Sequence, residues 1–211
     1  MVKLYCFPGA PNPDKLRLYL AEKLVGGADI TLDEIFVNLR SGEQYSPEHL
    51  SRNPFGKLPV LQLDDASCIT ESLAIIEYFE ELHPEPSLIG RCAWERAKTR
   101  ELERICDLRV LIPIGRIIHA TRPSSGKAPA HEIARHAQAM LSTALRVLND
   151  QLSDGRPFMT GATPSIADCT LAAALAFARC FKLKVIDDYE HLHRWDSTYR
   201  SRPVAQSILL F

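Results

Sequence analysis

The sequence has almost no excess charge of either sign, since 25 lysine and arginine residues balance 26 aspartate and glutamate residues in 211 positions. A net charge of −1 gives no long-range field that would attract a nucleic-acid backbone or an anionic lipid surface. Hydrophobic residues at 46% and charged residues at 24% are typical of a globular protein and exclude a disordered chain. We therefore expect no nucleic-acid partner and room for two modest domains.

Long hydrophobic runs are also missing. The longest charge-free stretch of the C-terminal half, residues 169–178, is far shorter than the roughly 20 apolar residues that cross a bilayer. Pro8 and Gly9 interrupt the N-terminus where a secretion signal needs a continuous apolar segment. We expect no membrane-spanning helix, no secretion and a cytoplasmic location.

The six cysteines form no CxxC pair, and they make no cluster with the seven histidines that has the spacing of metal ligands. This pattern is typical of reduced cysteines that fill small core positions. The sequence therefore predicts no disulfide framework and no metal site.

The N-terminal part alternates strand and helix signals in the order βαβ-ββα. Gly26 supplies a helix stop, and Ser46 is a good helix start because serine caps the free amides of a first turn. The predicted elements are strands at 1–6, 30–39, 57–63 and 68–70, a helix through 16–24, a short helix after Ser46 and a helix at 71–82.

A proline-rich run at 83–86 marks a domain boundary, because proline cannot continue a helix. Beyond it the pattern is helical throughout, with no strand signal. We predict an α/β domain at 1–82, a linker at 83–90 and an all-helical domain at 91–211. The helices predicted in that second domain are 92–119, 130–152, 165–181, 188–200 and a short one after Pro203.

Pro59 lies inside a predicted buried strand, where it would forfeit a ladder hydrogen bond. An edge strand or a bulge would explain this proline. The alternative is a cis Leu58–Pro59 bond that turns the backbone of Leu58 out of the sheet. Its N–H and C=O groups could then bind an extended peptide as an added strand.

Glu71 and Ser72 stand where a strand ends and a helix begins, so the free amides and the positive end of the helix dipole face outward. Simple helix capping is one interpretation. In the other, the Ser72 hydroxyl and the helix amides bind a carboxylate while Glu71 binds the neighbouring ammonium group. A free α-amino acid end carries both groups.

The segment Ala10-Pro11-Asn12-Pro13 delivers the first helix to the same side of the sheet, where it could stabilise a thiolate. Lowering a thiol pKa from about 8.5 to about 6.5 takes roughly 2.7 kcal/mol, of which a helix terminus supplies up to about 2. Asn12 is therefore either one further donor to the sulfur or a helix cap.

Taken in order, four segments resemble the glutathione transferase superfamily, and a Ser165–Asp168 pair resembles the family's capping box. The resemblance covers essentially the whole chain and favours the atypical fungal-type branch with its bacterial relatives. It implies a thioredoxin-like first domain, an all-helical second domain that forms the acceptor pocket, and glutathione as co-substrate. The four segments are 10–15, 42–48, 53–61 and 70–75.

The resemblance also implies which residues bind glutathione. Leu58 and Pro59 would hold the cysteinyl backbone, Glu71 and Ser72 the γ-glutamyl end, and Lys57 would be a neighbouring polar contact.

The glycyl carboxylate lacks an obvious binding pair. Gln44 and Tyr45 fall where many relatives carry a His-Lys pair, so this contact would pass to Arg40, Gln44 or Lys57.

Ala10 departs from the family, which usually has serine, cysteine or threonine there to contact the glutathione sulfur. Alanine cannot donate a hydrogen bond, so activation of the thiol from this position is excluded. The resemblance to the atypical branch implies that a water held by second-domain side chains acts on the sulfur. The similar segment here makes His119, with Ser124 or Ser125, the candidate water holder. The alternative for His119 is a helix-terminal histidine interacting with its own carbonyls.

Three functions stay open. Conjugation of glutathione to small hydrophobic electrophiles leads, followed by glutathione-dependent disulfide or peroxide reduction and by a non-catalytic glutathione-binding module. The family also implies a homodimer, to which a stripe of Arg96, Arg100 and Arg104 could contribute if it is not simply a solvated helix face.

Overall fold

The computed structural model describes residues 1–122 and 128–209. The chain divides into two compact units, Met1–Leu88 and Ile89–Phe211. The first unit contains the sheet and the second is helical, which confirms the predicted fold class of a thioredoxin-like domain followed by an all-helical domain.

The first unit is built on a four-stranded sheet with the strand order β2-β1-β3-β4. Strand β1 pairs in parallel with β2 and antiparallel with β3, and β3 pairs antiparallel with β4. The strands are β1 Lys3–Cys6, β2 Asp33–Phe36, β3 Val60–Gln62 and β4 Cys68–Thr70, and the helices are α1 Pro11–Val25, α2 Pro47–Arg52 and α3 Ser72–Leu82.

Apolar side chains of the sheet alternate between its two faces, as the period of a strand requires. Leu4 pairs with Leu61, and both are fully buried. Tyr5 pairs with Val60 and joins Leu58 in a separate apolar cluster. The Leu58 side chain therefore fixes the segment before β3 to the sheet.

Two predicted strands are shorter than expected. Strand β2 ends at Phe36 because β1, which pairs with it in the sheet, ends at the paired residue Cys6 before the chain turns at Pro8 and Gly9. Strand β3 begins at Val60, so Pro59 precedes the strand rather than interrupting it. The predictions of strands at 30–39 and 57–63 were wrong in length.

The predicted helix at 92–119 is interrupted by a π-helical turn, Asp107–Leu111. Pro113 lies in the first turn of the helix that follows and has no N–H to donate to the preceding turn, which accounts for the break. The helices of the second unit are α4 Ala93–Cys106, α5 Ile112–Thr121, α6 His131–Gln151, α7 Ile166–Cys180, α8 Glu190–Arg200 and α9 Pro203–Ile208.

Helix α7 forms the centre of the second unit, since almost all of its residues are buried. Its first turn carries the predicted capping box of Ser165 and Asp168. The Asp168 carboxylate also accepts hydrogen bonds from the Met159 amide and from Nε1 of Trp195, both at 2.8 Å. Burial raises the pKa of Asp168. One carboxylate thus joins α7 to α8 and to the loop before α7.

Candidate active site

The segment before β3 has the predicted backbone, because the Leu58–Pro59 bond is cis. The Lys57 side chain is exposed, whereas those of Leu58 and Pro59 are buried. The carbonyl of Lys57 accepts hydrogen bonds from Nδ2 of Asn53 at 3.0 Å and from Nε2 of His49 at 3.1 Å. Two side chains therefore fix the backbone of this segment through the Lys57 carbonyl.

Glu71 occupies the N-cap position of α3 with φ 69° and ψ 116°. Such a conformation is unfavourable for a residue with a Cβ atom, at a cost of about 1 to 3 kcal/mol. The Glu71 side chain is exposed and makes no capping hydrogen bond, and the first turn of α3 contains no acidic residue. The positive end of α3 is therefore not neutralised by its own first turn.

Ser72 and Asn12 bring the first turns of α3 and α1 together. The Ser72 hydroxyl donates a hydrogen bond to Oδ1 of Asn12 at 3.4 Å. Ala10 is the N-cap residue of α1, and among the described residues no side chain makes a capping hydrogen bond at this helix start. The structure therefore does not support the alternative in which Asn12 caps its own helix.

Asp14 was missed by sequence reasoning, although it holds the turn that leads into α1. Its carboxylate is buried and accepts a hydrogen bond from the Gly9 amide at 3.0 Å, with Arg17 at 3.3 Å. Burial raises the pKa of Asp14 to about 6, against the opposing effect of Arg17. Its signal in the sequence is weak, since an aspartate in a first helical turn is common.

Cys6, at the end of β1, lies in the same region of the first unit. Burial raises the pKa of its thiol to about 12, and the neighbouring Glu34 carboxylate adds to this effect. The thiolate is the reactive form of cysteine, so this side chain is a poor nucleophile at neutral pH.

Gln44 and Lys57, which are predicted to bind the glycyl carboxylate, lie in two segments that pack tightly against each other. Gln44 is buried in a 3₁₀ turn, and its Oε1 has no hydrogen-bond partner among the described residues. A Cβ atom at Gly56 would lie 2.9 Å from the ring of Tyr45, so this turn packs directly against the chain preceding Lys57. Arg40 is exposed, and its amide donates to Oδ1 of Asn38.

His119 is an exposed residue in the last turn of α5. Ser124 and Ser125 lie outside the described residues. A shallow groove of about 490 Å³ in the second unit is lined by Arg116, Glu132, Ile133 and His136, and one of about 410 Å³ by Ile105, Arg109, Met140, Thr143, Ala144 and Val147.

Within the described ranges, no group of three or more histidine, cysteine or acidic side chains is placed to hold a metal ion. Among the same residues, no helix combines the length and the apolar character that crossing a membrane requires.

Comparison with known proteins agrees with this architecture. The family of glutathione S-transferase N-terminal domains matches residues 1–81, and that of the C-terminal domains matches residues 128–195. Glutathione S-transferase 2 of Saccharomyces cerevisiae is 31% identical over 211 residues, which is 98% of this chain and 88% of the relative.

Comparison with solved structures also finds glutathione S-transferases. The crystal structure of Gtt2 from Saccharomyces cerevisiae has a TM-score of 0.86 and 30% identity, covering 98% of this chain and 100% of that chain. A glutathione S-transferase domain-containing protein from Marinobacter aquaeolei has a TM-score of 0.86 and 28% identity, covering 96% and 99%. A thioredoxin-like domain followed by a helical domain is thus the shared architecture of these proteins. The chain belongs to the glutathione S-transferase family, whose members use glutathione as co-substrate.

Proposed function

We propose that this glutathione S-transferase conjugates the thiolate of glutathione to small hydrophobic electrophiles. The observation that carries the proposal is the meeting of Ser72 and Asn12 at the first turns of α3 and α1. Two helix N-termini and a cis-proline segment in one small domain offer what an extended peptide with an acidic thiol needs.

The γ-glutamyl end of glutathione would bind at the start of α3. Its carboxylate would accept from amides of the first turn, where no acidic residue competes, and from the Ser72 hydroxyl, whose single proton would turn from Oδ1 of Asn12 to the ligand on binding. The exposed carboxylate of Glu71 would bind the adjacent ammonium group.

The rest of the tripeptide would extend along the segment before β3. The backbone of Leu58, with Pro59 beside it, would bind the cysteinyl residue as an added strand. The glycyl carboxylate would then be within reach of the exposed Lys57 ammonium or of Gln44, while Arg40 is the further candidate for this contact.

Asn12 is our candidate for the group that stabilises the thiolate. In the free protein its Oδ1 accepts from Ser72, and in the complex its side-chain Nδ2 would be available to donate to the sulfur. Ala10 offers no side-chain donor, and the protonated Cys6 thiol does not replace glutathione as the nucleophile. His119 and Ser125 stay candidates for holding a water that acts on the sulfur.

The assay is steady-state conjugation of glutathione to a chromogenic aryl halide, combined with calorimetric titration of glutathione. We expect saturable binding and turnover above the uncatalysed rate. Binding without turnover would contradict conjugation for that class of substrate, and the absence of binding would contradict the assignment of the site.

Two other functions follow from the alanine at position 10. Glutathione-dependent reduction of a disulfide or a peroxide would give turnover of a small mixed disulfide that exceeds turnover of the aryl halide. A non-catalytic binding module would bind glutathione and leave the pKa of its thiol unchanged.

We further propose a cytoplasmic homodimer. The second unit exposes the apolar side chains of Leu108 in the π-helical turn, Ile112 at the start of α5 and Val147 on α6. In the predicted arginine stripe, Arg96 donates to the Gly90 carbonyl and Arg104 forms ion pairs with Glu103 and Asp107. Sedimentation that shows only a 23.7 kDa species would contradict the dimer.

A further inference from the structure

The carbonyl of Lys57, in the loop before β3, accepts hydrogen bonds from two side chains. It accepts from the imidazole of His49 at 3.1 Å and from the amide of Asn53 at 3.0 Å, and both side chains are only 2% exposed. Two buried donors therefore fix one backbone oxygen immediately before Leu58.

Asn53 makes further hydrogen bonds in this loop, because its Oδ1 accepts from the Phe55 amide and its carbonyl accepts from the Gly56 amide. The imidazole of His49 makes only the hydrogen bond to Lys57 among the described residues. Its Nδ1 is buried without a hydrogen-bond partner among the described residues, so the ring donates only through Nε2 to Lys57. His49 is thus a buried polar side chain whose single hydrogen bond serves the Lys57 carbonyl.

The direction of that carbonyl determines the direction of the next amide. The Lys57–Leu58 bond is trans, and in a planar trans peptide the C=O and N–H groups point in opposite directions. With the Lys57 oxygen turned towards His49, the Leu58 N–H is turned away from it. Leu58 lies before the first residue of β3, and its amide has no hydrogen-bond partner among the described residues.

We propose that His49 is a positioning residue that aims the Leu58 amide at the backbone of the bound peptide. The inference rests on the proposed binding of glutathione and adds to it a residue that does not contact the ligand. His49 holds the acceptor, the peptide plane transmits the orientation, and the Leu58 N–H is presented before the ligand arrives. Presentation in advance avoids the cost of ordering the amide on binding.

A purely structural role for His49 predicts something different. The residue lies in α2, whose N-cap Ser46 accepts from the His49 amide at 3.2 Å. If His49 only stabilised α2, any change that weakens this helix to the same extent would affect glutathione equally. Ser46→Ala is the matched control, because it removes the cap and leaves both donors to Lys57 in place.

The experiment compares His49→Leu, His49→Gln and Ser46→Ala with the wild type by calorimetric titration of glutathione, with denaturant midpoints measured alongside. We expect His49→Leu to raise the Kd about 5- to 10-fold, as for the loss of one well-aligned hydrogen bond. His49→Gln restores a donor and should stay within about 2-fold of the wild type. Ser46→Ala should lower the denaturant midpoint and leave the Kd within about 2-fold.

The wild type provides a second test, which does not depend on the folding of His49→Leu. In amide-resolved NMR spectra, the Leu58 N–H should shift and exchange more slowly when glutathione binds. Binding of glutathione with no change at Leu58, or equal losses of affinity in His49→Leu and Ser46→Ala, would overturn the role of His49 alone. A wild type that does not bind glutathione would overturn the proposed function as well.

Discussion

The hydroxyl of Ser72 donates to Oδ1 of Asn12 across 3.4 Å and so joins the N-terminal turns of two helices that are 60 positions apart in the chain. An amide that accepts through its oxygen has its two N–H donors on the other side of the group. The contact therefore orients Asn12 as well as linking α1 to α3. Because the N-terminal end of a helix favours negative charge and the first turn of α3 contains no acidic residue, this turn favours an anionic ligand.

Replacement of Asn12 should change the acidity of bound glutathione. In Asn12→Asp the group can no longer donate and carries a like charge, so we expect the pKa of the bound thiol to rise by about 1 or more. The value of kcat/KM at pH 6.5 should then fall about 10-fold. Ultraviolet titration of the thiolate and a pH profile of turnover measure the two effects.

The control for this experiment is S-methylglutathione, which has the same backbone and no ionisable thiol. Its affinity should stay within about 3-fold of the wild-type value in Asn12→Asp, because the backbone contacts are unchanged. An unchanged thiol pKa in the variant would show that Asn12 does not act on the sulfur.

A comparison of Glu71→Gly with Glu71→Ala should distinguish the effect of this residue on stability from its effect on glutathione binding. Because Glu71 has φ 69°, Glu71→Gly relieves backbone strain that Glu71→Ala retains. We expect the glycine variant to have a free energy of unfolding about 1 kcal/mol higher than the alanine variant. Both variants lose the carboxylate, so both should bind glutathione more weakly, which chemical denaturation and calorimetry can compare. Equal stability of the two would contradict strain at this residue.

Asp14 should make stability depend on pH in the direction opposite to that of an ordinary ion-paired aspartate. Its pKa is raised from 3.8 to about 6 by burial, so the folded state holds the proton more tightly than the unfolded chain does. Below about pH 4 both states are protonated and the whole contribution of Asp14 to stability is retained. Between about pH 4 and about pH 6 this contribution, about 3 kcal/mol, should be lost.

The test for Asp14 is urea denaturation of the wild type and of Asp14→Asn from pH 4 to pH 8. Asparagine can still accept from the Gly9 amide but does not titrate. The stability of the wild type relative to the variant should decrease as the pH rises. Parallel curves would mean that Asp14 ionises in the folded protein as it does in the unfolded chain.

Lys23 and Glu80 form a buried ion pair that also fixes the end of the first unit. The Lys23 ammonium contacts Oε1 of Glu80 and the carbonyls of His83 and Pro86, each at 2.7 Å. Lys23→Met would leave an uncompensated buried carboxylate, and we expect a loss of about 3 to 5 kcal/mol.

An exposed ion pair is the control for Lys23→Met. Arg135 and Glu132 are paired at 2.8 Å, but their side chains are 72% and 83% exposed. Arg135→Ala should therefore change the free energy of unfolding by less than about 1 kcal/mol. Losses of similar size in the two variants would contradict the special role of burial.

The order of elements could be predicted because its signals are local. Ser46 caps α2 through its side chain, Gly26 follows the last residue of α1, and α3 ends at Leu82 shortly before Pro84. The lengths of the strands could not be predicted in this way. The end of β2 depends on where its partner β1 turns, and nothing in the sequence around Phe36 records that.

The residues of the candidate site also divide into those that the sequence indicates and those that it does not. Pro59 and Ser72 attract notice because a proline inside a predicted strand and a serine at the start of a helix are informative by type. Asp14 and His49 do not, because each of them bonds to a backbone group, the Gly9 amide or the Lys57 carbonyl. Every residue carries such groups, so these two contacts become visible only once the chain is folded.

Cys6 bears on a hazard that any catalyst of electrophile chemistry faces, which is alkylation of its own side chains. A thiol with a pKa of about 12 is ionised at neutral pH in a fraction on the order of 10⁻⁵ of molecules. Cys6 is also buried, at the end of the strand that leads to Ala10. We therefore expect Cys6 to escape alkylation by the electrophiles that the proposed conjugation would involve, so that its sulfur atom can remain in the first domain without being consumed.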